Sequence, residues 1–301
     1  MKTLMKTAAS ALALLFVLPA CAQQAPAPAP AAQDADPALW VVKDADTTVY
    51  LFGTVHVLKP GLSWFDEAVK TAFDKSDTLV LEMVEPEPAA MQQLVMAKAM
   101  NPAGPTLTEQ IPEAKRPAYL KAMADNGIPP AAFDRMKPWL AAVTLSVLPL
   151  KKLGYDPETG AEKVLTGAAK TAGKKIDAVE TAEQQLGFFD SLTPAAQVEF
   201  LTSTVDELPK LGETMGTMIA DWSEGDPDSL AVLLNESMKE SPEVAKTLLY
   251  DRNARWADWI VKRMEQPGTV FFAVGAGHLA GDRSVIADLK ARKLTAERVK
   301  Y

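Results

Sequence analysis

Apolar residues fall into two rhythms along this chain. Short runs rich in β-branched and aromatic residues, at Thr48 to Phe52, Thr78 to Leu81, Lys174 to Val179 and Thr269 to Val274, read as buried strands. Longer stretches repeat apolar residues at helical spacing: Leu62 to Ser76, most of 88–172, Thr181 to Met264, and Ser284 to Arg292. Pro102, Pro105, Pro112, Pro129, Pro130 and Pro138 punctuate the middle stretch at helix starts. Order is expected to begin near Trp40-Val41-Val42, with a turn at Lys43 to Asp46 and a last strand at Thr295 to Val299. The pattern predicts one α/β domain over 39–301: a small mixed sheet, two strand–Gly-x-x-His–helix units, and a large helical insertion between them.

The N-terminus follows a different logic. Lys2 and Lys6 precede an apolar stretch, Ala8 to Leu18, too short to span a bilayer, and the small residues Pro19-Ala20-Cys21-Ala22 follow. Residues 1–22 therefore read as a secretory signal. Cleavage after Ala22 leaves Gln23 as the mature start; Leu18-Pro19-Ala20-Cys21 instead resembles a lipobox, which makes Cys21 a lipidated terminus. Pro19 departs from the lipobox pattern, yet the one cysteine of the chain falls where a lipobox needs it, and that reading is preferred. Residues 23–38, rich in Ala, Pro and Gln, read as an extended tether. The expected location is the periplasm or outer cell envelope, with membrane contact only through a lipid at Cys21.

Composition then removes whole classes of chemistry. Past Cys21 there is no thiol for a disulfide, a nucleophile or a thiolate metal site. The formal charge is −8, and more negative still once Lys2 and Lys6 leave, which disfavours nucleic acid as a partner. No HExxH, GxSxG or GxxxxGK[ST] motif occurs.

Both histidines share one local setting. Thr48-Val49-Tyr50-Leu51-Phe52-Gly53-Thr54-Val55-His56 and Thr269-Val270-Phe271-Phe272-Ala273-Val274-Gly275-Ala276-Gly277-His278 each place Gly three residues before His at the end of a strand-like run. With 16 Gly in 301 residues, chance produces this at both in roughly one chain of 350, so a shared site is favoured over two core histidines. The glycines are expected to let the chain turn sharply. Carboxyl ends of strands are where α/β sheets build sites, so the two rings can converge.

Three further residues stand out. Glu82 closes an apolar strand, where a carboxylate needs a partner, a proton or a cation; its simpler role is to reach solvent or cap a helix. Glu180 precedes a helix and Arg252 lies within one; their simpler roles are a helix N-terminal charge and a surface ion pair with Asp251 or Asp258. Lys137-Pro138-Trp139 reads as a helix start. Any bound metal must use the two histidines with carboxylate or water, a set that suits Mn, Co, Fe or Zn.

Leu51-Phe52-Gly53-Thr54-Val55-His56, Leu81-Glu82, Lys137-Pro138-Trp139, Glu180-Thr181-Ala182-Glu183-Gln184-Gln185, Arg252-Asn253 and Val274-Gly275-Ala276-Gly277-His278-Leu279-Ala280-Gly281 resemble, in order, the TraB/GumN family over about residues 39 to 300. The resemblance implies a Tiki-like fold, related in architecture to erythromycin esterases and ChaN-like haem-binding lipoproteins, whose animal members are metal-dependent proteases acting on Wnt ligands. It implies His56, His278 and Glu82 as the active-site core, supported by Glu180 and Arg252. On this basis the chain is expected to be a metal-dependent hydrolase acting on a peptide or small-molecule substrate. His56, His278 and Glu82 would hold a divalent metal, Glu82 serving as ligand or as base. Arg252 would meet an oxyanion or orient a carboxylate, and Glu180 would assist. The alternative is a non-enzymatic surface lipoprotein that holds haem or another ligand through a histidine.

Overall fold

A computed structural model describes residues 32–239 and 241–301. The expected signal segment 1–22, Cys21 included, and tether residues 23–31 lie outside the described residues. Among the described residues there are eight strands: β1 (Gln33–Asp34), β2 (Leu39–Lys43), β3 (Thr47–Thr54), β4 (Leu62–Ser63), β5 (Thr78–Met83), β6 (Lys175–Glu180), β7 (Gly268–Gly275) and β8 (Glu297–Arg298). Six of them form one mixed sheet in the order β6-β5-β7-β3-β2-β8. The four strands β6, β5, β7 and β3 are mutually parallel, and β2 runs antiparallel to β3 and to β8. This is the α/β arrangement expected from the two rhythms.

Side chains alternate across the sheet, so each strand feeds two cores. Phe52, Leu79, Leu81, Phe271 and Ala273 face one layer with Trp64, Phe73, Leu165 and Trp222. Val49, Leu51, Val80, Val270, Phe272 and Val274 face the other with Trp256, Ile260, Val285 and Leu289. The helical insertion comes in two blocks, one before and one after β6. It carries a core of its own, in which Leu107, Ile111, Tyr119, Met123, Ala141, Leu145 and Leu201 meet. Among the described residues, no helix is long and apolar enough to cross a membrane.

Two boundaries differ from the sequence expectation. The expected tether ends early: Gln33–Asp34 pairs in parallel with Leu62–Ser63, and Ala35 is buried. Extended Ala- and Pro-rich backbone can still donate, as Gln33 N to Gly61 O (2.7 Å) and Asp36 N to Ser223 O (2.7 Å) show. The helix expected from Leu62 begins at Glu67. Trp64 mimics helical spacing but is held on extended chain, stacked on Phe52 at 5.5 Å between ring centroids.

Candidate active site

Register brings the chemistry to one level. Thr54 of β3 stands beside Gly275 of β7, Leu81 of β5 beside Ala273, and Met83 beside Glu180 of β6. Four parallel carboxyl ends therefore stop together, and His56, Glu82, Glu180 and His278 all leave the sheet on that rim. Parallel strands are needed for this, because antiparallel neighbours would send alternate ends to opposite rims.

The two motif glycines act through space rather than through backbone angle. Neither has a positive φ; Gly275 lies at φ −48°. A Cβ on Gly53 would sit 3.0 Å from Ala276 Cα, so its absence lets the second motif approach the first strand. A Cβ on Gly275 would sit 3.2 Å from Glu82 Oε1, 3.6 Å from His56 Nε2 and 3.7 Å from His278 Cδ2. Its absence leaves a gap that all three side chains border. The distance between those two ring atoms is at most the sum of the last two, about 7.3 Å.

Each imidazole is held by Nδ1. His56 Nδ1 lies 2.6 Å from Glu162 Oε1, which also accepts the Thr54 hydroxyl. His278 Nδ1 lies 2.6 Å from Asn253 Oδ1. Asn253 Nδ2 donates to Arg283 O at 2.7 Å, so the amide oxygen is the end left for the ring. His278 therefore carries its proton on Nδ1, and its Nε2 accepts.

Arg252 ties the rim together. Nε donates to Glu180 Oε1 (3.0 Å), Nη2 to Glu180 Oε2 (2.7 Å) and Glu82 Oε2 (2.6 Å), and Nη1 to Leu248 O (3.0 Å) and His278 Nε2 (3.2 Å). All five guanidinium hydrogens have acceptors, as a buried arginine requires. Trp256 Nε1 and Gln185 Nε2 complete Glu180, at 3.1 Å each. Glu82 Oε1 accepts the Gly275 N–H at 2.7 Å. The helix that presents Arg252, Asn253 and Trp256 (Asp251–Arg263) is entered through a π-helical turn, Lys246–Tyr250, which contains the Leu248 carbonyl. Such widened turns recur at functional sites.

The two rings differ electrostatically. Partial desolvation would lower His56, but the hydrogen bond and charge of Glu162, with the charge of Glu82, outweigh it and raise the ring to about 9. Its side chain is 70% exposed, so solvent screens part of that attraction. His278 is lowered to about 3, first by burial and then by Arg252 and His56, against the opposing pull of Glu82. Burial would raise Glu82, yet the charges of His278, Arg252 and His56 and the Gly275 N–H bring it down to about 2. His278 becomes charged only in the acid range where Glu82 itself takes up a proton, so at neutrality Arg252 and His56 are the cations that hold Glu82 ionised.

All five residues singled out from the sequence reach this rim. The surface pairing considered for Arg252 is replaced: Asp251 pairs with Lys246 and Asp258 with Arg292, while Arg252 turns inward. Glu180 is 7% exposed and serves Arg252 rather than a helix end. Lys137 does precede a helix, Pro138–Lys152. Sequence reasoning missed Glu162 and left Asn253 without a role. Glu162 resembles any first-turn acid, and its one signal is the Gly160-Ala161 that precedes it.

Two imidazoles and a carboxylate bordering one gap, each ring with Nδ1 on an oxygen, form a donor set that fits a divalent transition metal in kind. Among the described residues, however, no three His, Cys, Asp or Glu stand close enough to hold an ion as they are. The guanidinium of Arg252 takes up His278 Nε2 and one oxygen of Glu82.

Similarity to known proteins covers the same span. The family model described as TraB/PrgY/gumN family matches residues 38–298. The uncharacterised Escherichia coli protein YbaP is 25% identical over 246 residues, covering 82% of this chain and 89% of that protein. A metalloprotease TIKI homologue of Amphimedon queenslandica is 23% identical over a 314-residue alignment, covering 87% of this chain and 61% of that protein. Metalloprotease TIKI1 of Xenopus tropicalis is 23% identical over 308, covering 84% and 59%. The chain thus spans about three fifths of the length of these two TIKI proteins. No solved structure matches.

Proposed function

This chain belongs to the TraB/PrgY/gumN family, and from that premise we propose that it is a metal-dependent hydrolase of peptide-like amide or ester bonds, working at the rim where β3, β5 and β7 end. The observation that carries the reading is the gap at Gly275, bordered by His56 Nε2, Glu82 Oε1 and the His278 ring. The kinship with proteins named metalloproteases supports hydrolysis as the reaction class.

His56, His278 and Glu82 are the residues that would hold the ion, which supplies a Lewis acid and an acidified water when bound. Glu82, held near 2, stays ionised and is a weak proton acceptor, which favours ligand or charge partner over base. Arg252, with all five hydrogens engaged inside the protein, fixes the orientation of Glu82 and His278. Glu180 keeps Arg252 neutralised and in place. His278 must release Arg252 Nη1 before its Nε2 can turn to an ion.

Metal analysis of the mature protein beside His56→Ala and His278→Ala tests this, together with turnover of a peptide and ester panel. The wild type should retain a stoichiometric divalent ion and each variant should lose both ion and turnover. Wild-type turnover in the double variant, or a Soret band in the purified protein, overturns it. We also place the mature protein outside the cytoplasm, on the strength of the residue 1–22 signal pattern. Cell fractionation checks the location, and fatty-acid labelling decides between a lipid at Cys21 and a start at Gln23.

A further inference from the structure

We propose that Glu162 is the positioning residue of His56, setting which ring nitrogen carries the proton and aiming Nε2 at the Gly275 gap. The proposal rests on reading that rim as the active site. The helix Ala161–Thr171 begins against the exit of β3, and three consecutive residues dock there. Gly160 presses on the His56 carbonyl: a Cβ there would lie 2.1 Å from His56 O, a distance no side chain allows. Ala161 N donates to Val55 O at 3.0 Å. Glu162, one residue on, places Oε1 2.6 Å from His56 Nδ1 and accepts the Thr54 hydroxyl on the same oxygen. An acid at this helical position ordinarily gains by facing the helix N-terminus. This one is turned to the ring and held from a second side by Thr54, so backbone and side chains fix it together.

The arrangement has a counterpart at His278, where Asn253 Oδ1 takes Nδ1. Both rings thus have Nδ1 held as the donor, through partners on unrelated helices; at His56 this leaves Nε2 for the gap, whereas at His278 Nε2 accepts from Arg252 Nη1. A ring ligand usually needs such an oxygen on its far nitrogen, and loss of that partner weakens metal affinity by about 10- to 100-fold.

The experiment uses nitrogen-15 spectra of the imidazoles in the full mature chain at a pH where both rings are neutral. Two histidines give two ring systems, assigned with His56→Gln. Wild-type His56 should show a protonated Nδ1 and a bare Nε2. Glu162→Ala should shift the proton toward Nε2. Glu162→Gln keeps an oxygen at the same reach and should hold Nδ1–H. Glu162→Asp keeps the charge but withdraws the oxygen by one methylene and should behave like alanine, giving a second route if the alanine variant does not fold. Calorimetry with Mn²⁺ and Zn²⁺ should show affinity falling about 10- to 100-fold in the alanine variant, with rescue in the glutamine variant. An unchanged His56 tautomer in folded Glu162→Ala or Glu162→Asp overturns the proposal, whatever the metal result. A shifted tautomer in a protein whose wild type binds neither ion upholds Glu162 and overturns the metal reading alone.

Discussion

At the exit of β3, His56 has a carboxylate on one nitrogen and most of its side chain in solvent. At the exit of β7, the same Gly-x-x-His spacing delivers His278 into a sealed pocket. There it packs on Trp256 at 4.3 Å between ring centroids, against a neutral amide on one nitrogen and a guanidinium on the other. One ring is pushed up to about 9 and its twin down to about 3. The local motif fixes where a ring emerges; the helix that lands on it decides its charge. Ala161–Thr171 brings an acid to the first exit, and Asp251–Arg263 brings a cation and an amide to the second.

The largest expected effect lies on the sealed side. Arg252→Ala leaves Glu180 and Glu82 buried without their cation and should cost about 3–5 kcal/mol in urea unfolding. Glu162→Ala, at the open exit, should cost about 1 kcal/mol. Equal losses would erase the distinction between the exits.

Next comes the gap shared by both. Gly275→Ala puts a methyl group among Glu82, His56 and His278, at distances a small shift can absorb. Stability should stay within about 1 kcal/mol of wild type. Turnover should fall about 10²-fold, the scale of a misplacement near 1 Å. Gly53→Ala meets backbone at 3.0 Å and should show the reverse, a stability loss of about 1–3 kcal/mol.

The histidines themselves sharpen the contrast. His278→Ala should cost about 2 kcal/mol through lost packing and an orphaned Asn253. His56→Ala should stay within about 0.5 kcal/mol, as exposed positions do. Thermal unfolding of the two single variants checks both.

The smallest effect is the pH dependence, and its sign differs between exits. His56, raised from 6.5, contributes stability that is full below pH 6.5 and lost as pH rises through about 9, so the deficit of His56→Ala should vanish in mild alkali. His278, lowered from 6.5, contributes fully above pH 6.5 and ever less as pH falls toward 3, because the unfolded chain takes up a proton that the folded ring refuses. The deficit of His278→Ala should therefore shrink on acidification. Parallel curves for the two variants would contradict the opposite shifts.

The strands were legible because their signal is local: β3, β5, β6 and β7 announce themselves by β-branched runs, and His56, Glu82, Glu180 and His278 sit at or just beyond the ends of those runs. The family pattern added Arg252, whose inward direction no local signal gives. What stayed hidden depends on docking across the chain. Glu162 is a helix-start acid until Gly160 is seen pressed on His56, and Asn253 is a neighbour of Arg252 until His278 packs against it. The glycine spacing was visible, but its reason is not the expected sharp turn, because close approach between two strands leaves no trace in either one alone. Leu62 to Phe65 misleads for a similar reason: its apolar spacing fits a helix, yet β1 claims it as a strand partner.

The π-helical turn at Lys246–Tyr250 carries one consequence of a different kind. It runs unbroken between Pro242–Ala245 and Asp251–Arg263, so it amounts to a single surplus residue inside a helix. Deleting one residue there would restore regular α-helix and rotate the turn at Pro242–Ala245 by about 100° relative to the helix at Asp251–Arg263. Either the Leu248 carbonyl would leave Arg252, or Arg252 would leave Glu180. Insertions and deletions along 246–250 should therefore do more damage than substitutions, even at Leu248, which packs against Leu192, Ala196 and Val244: the first constraint on this stretch is its count of residues.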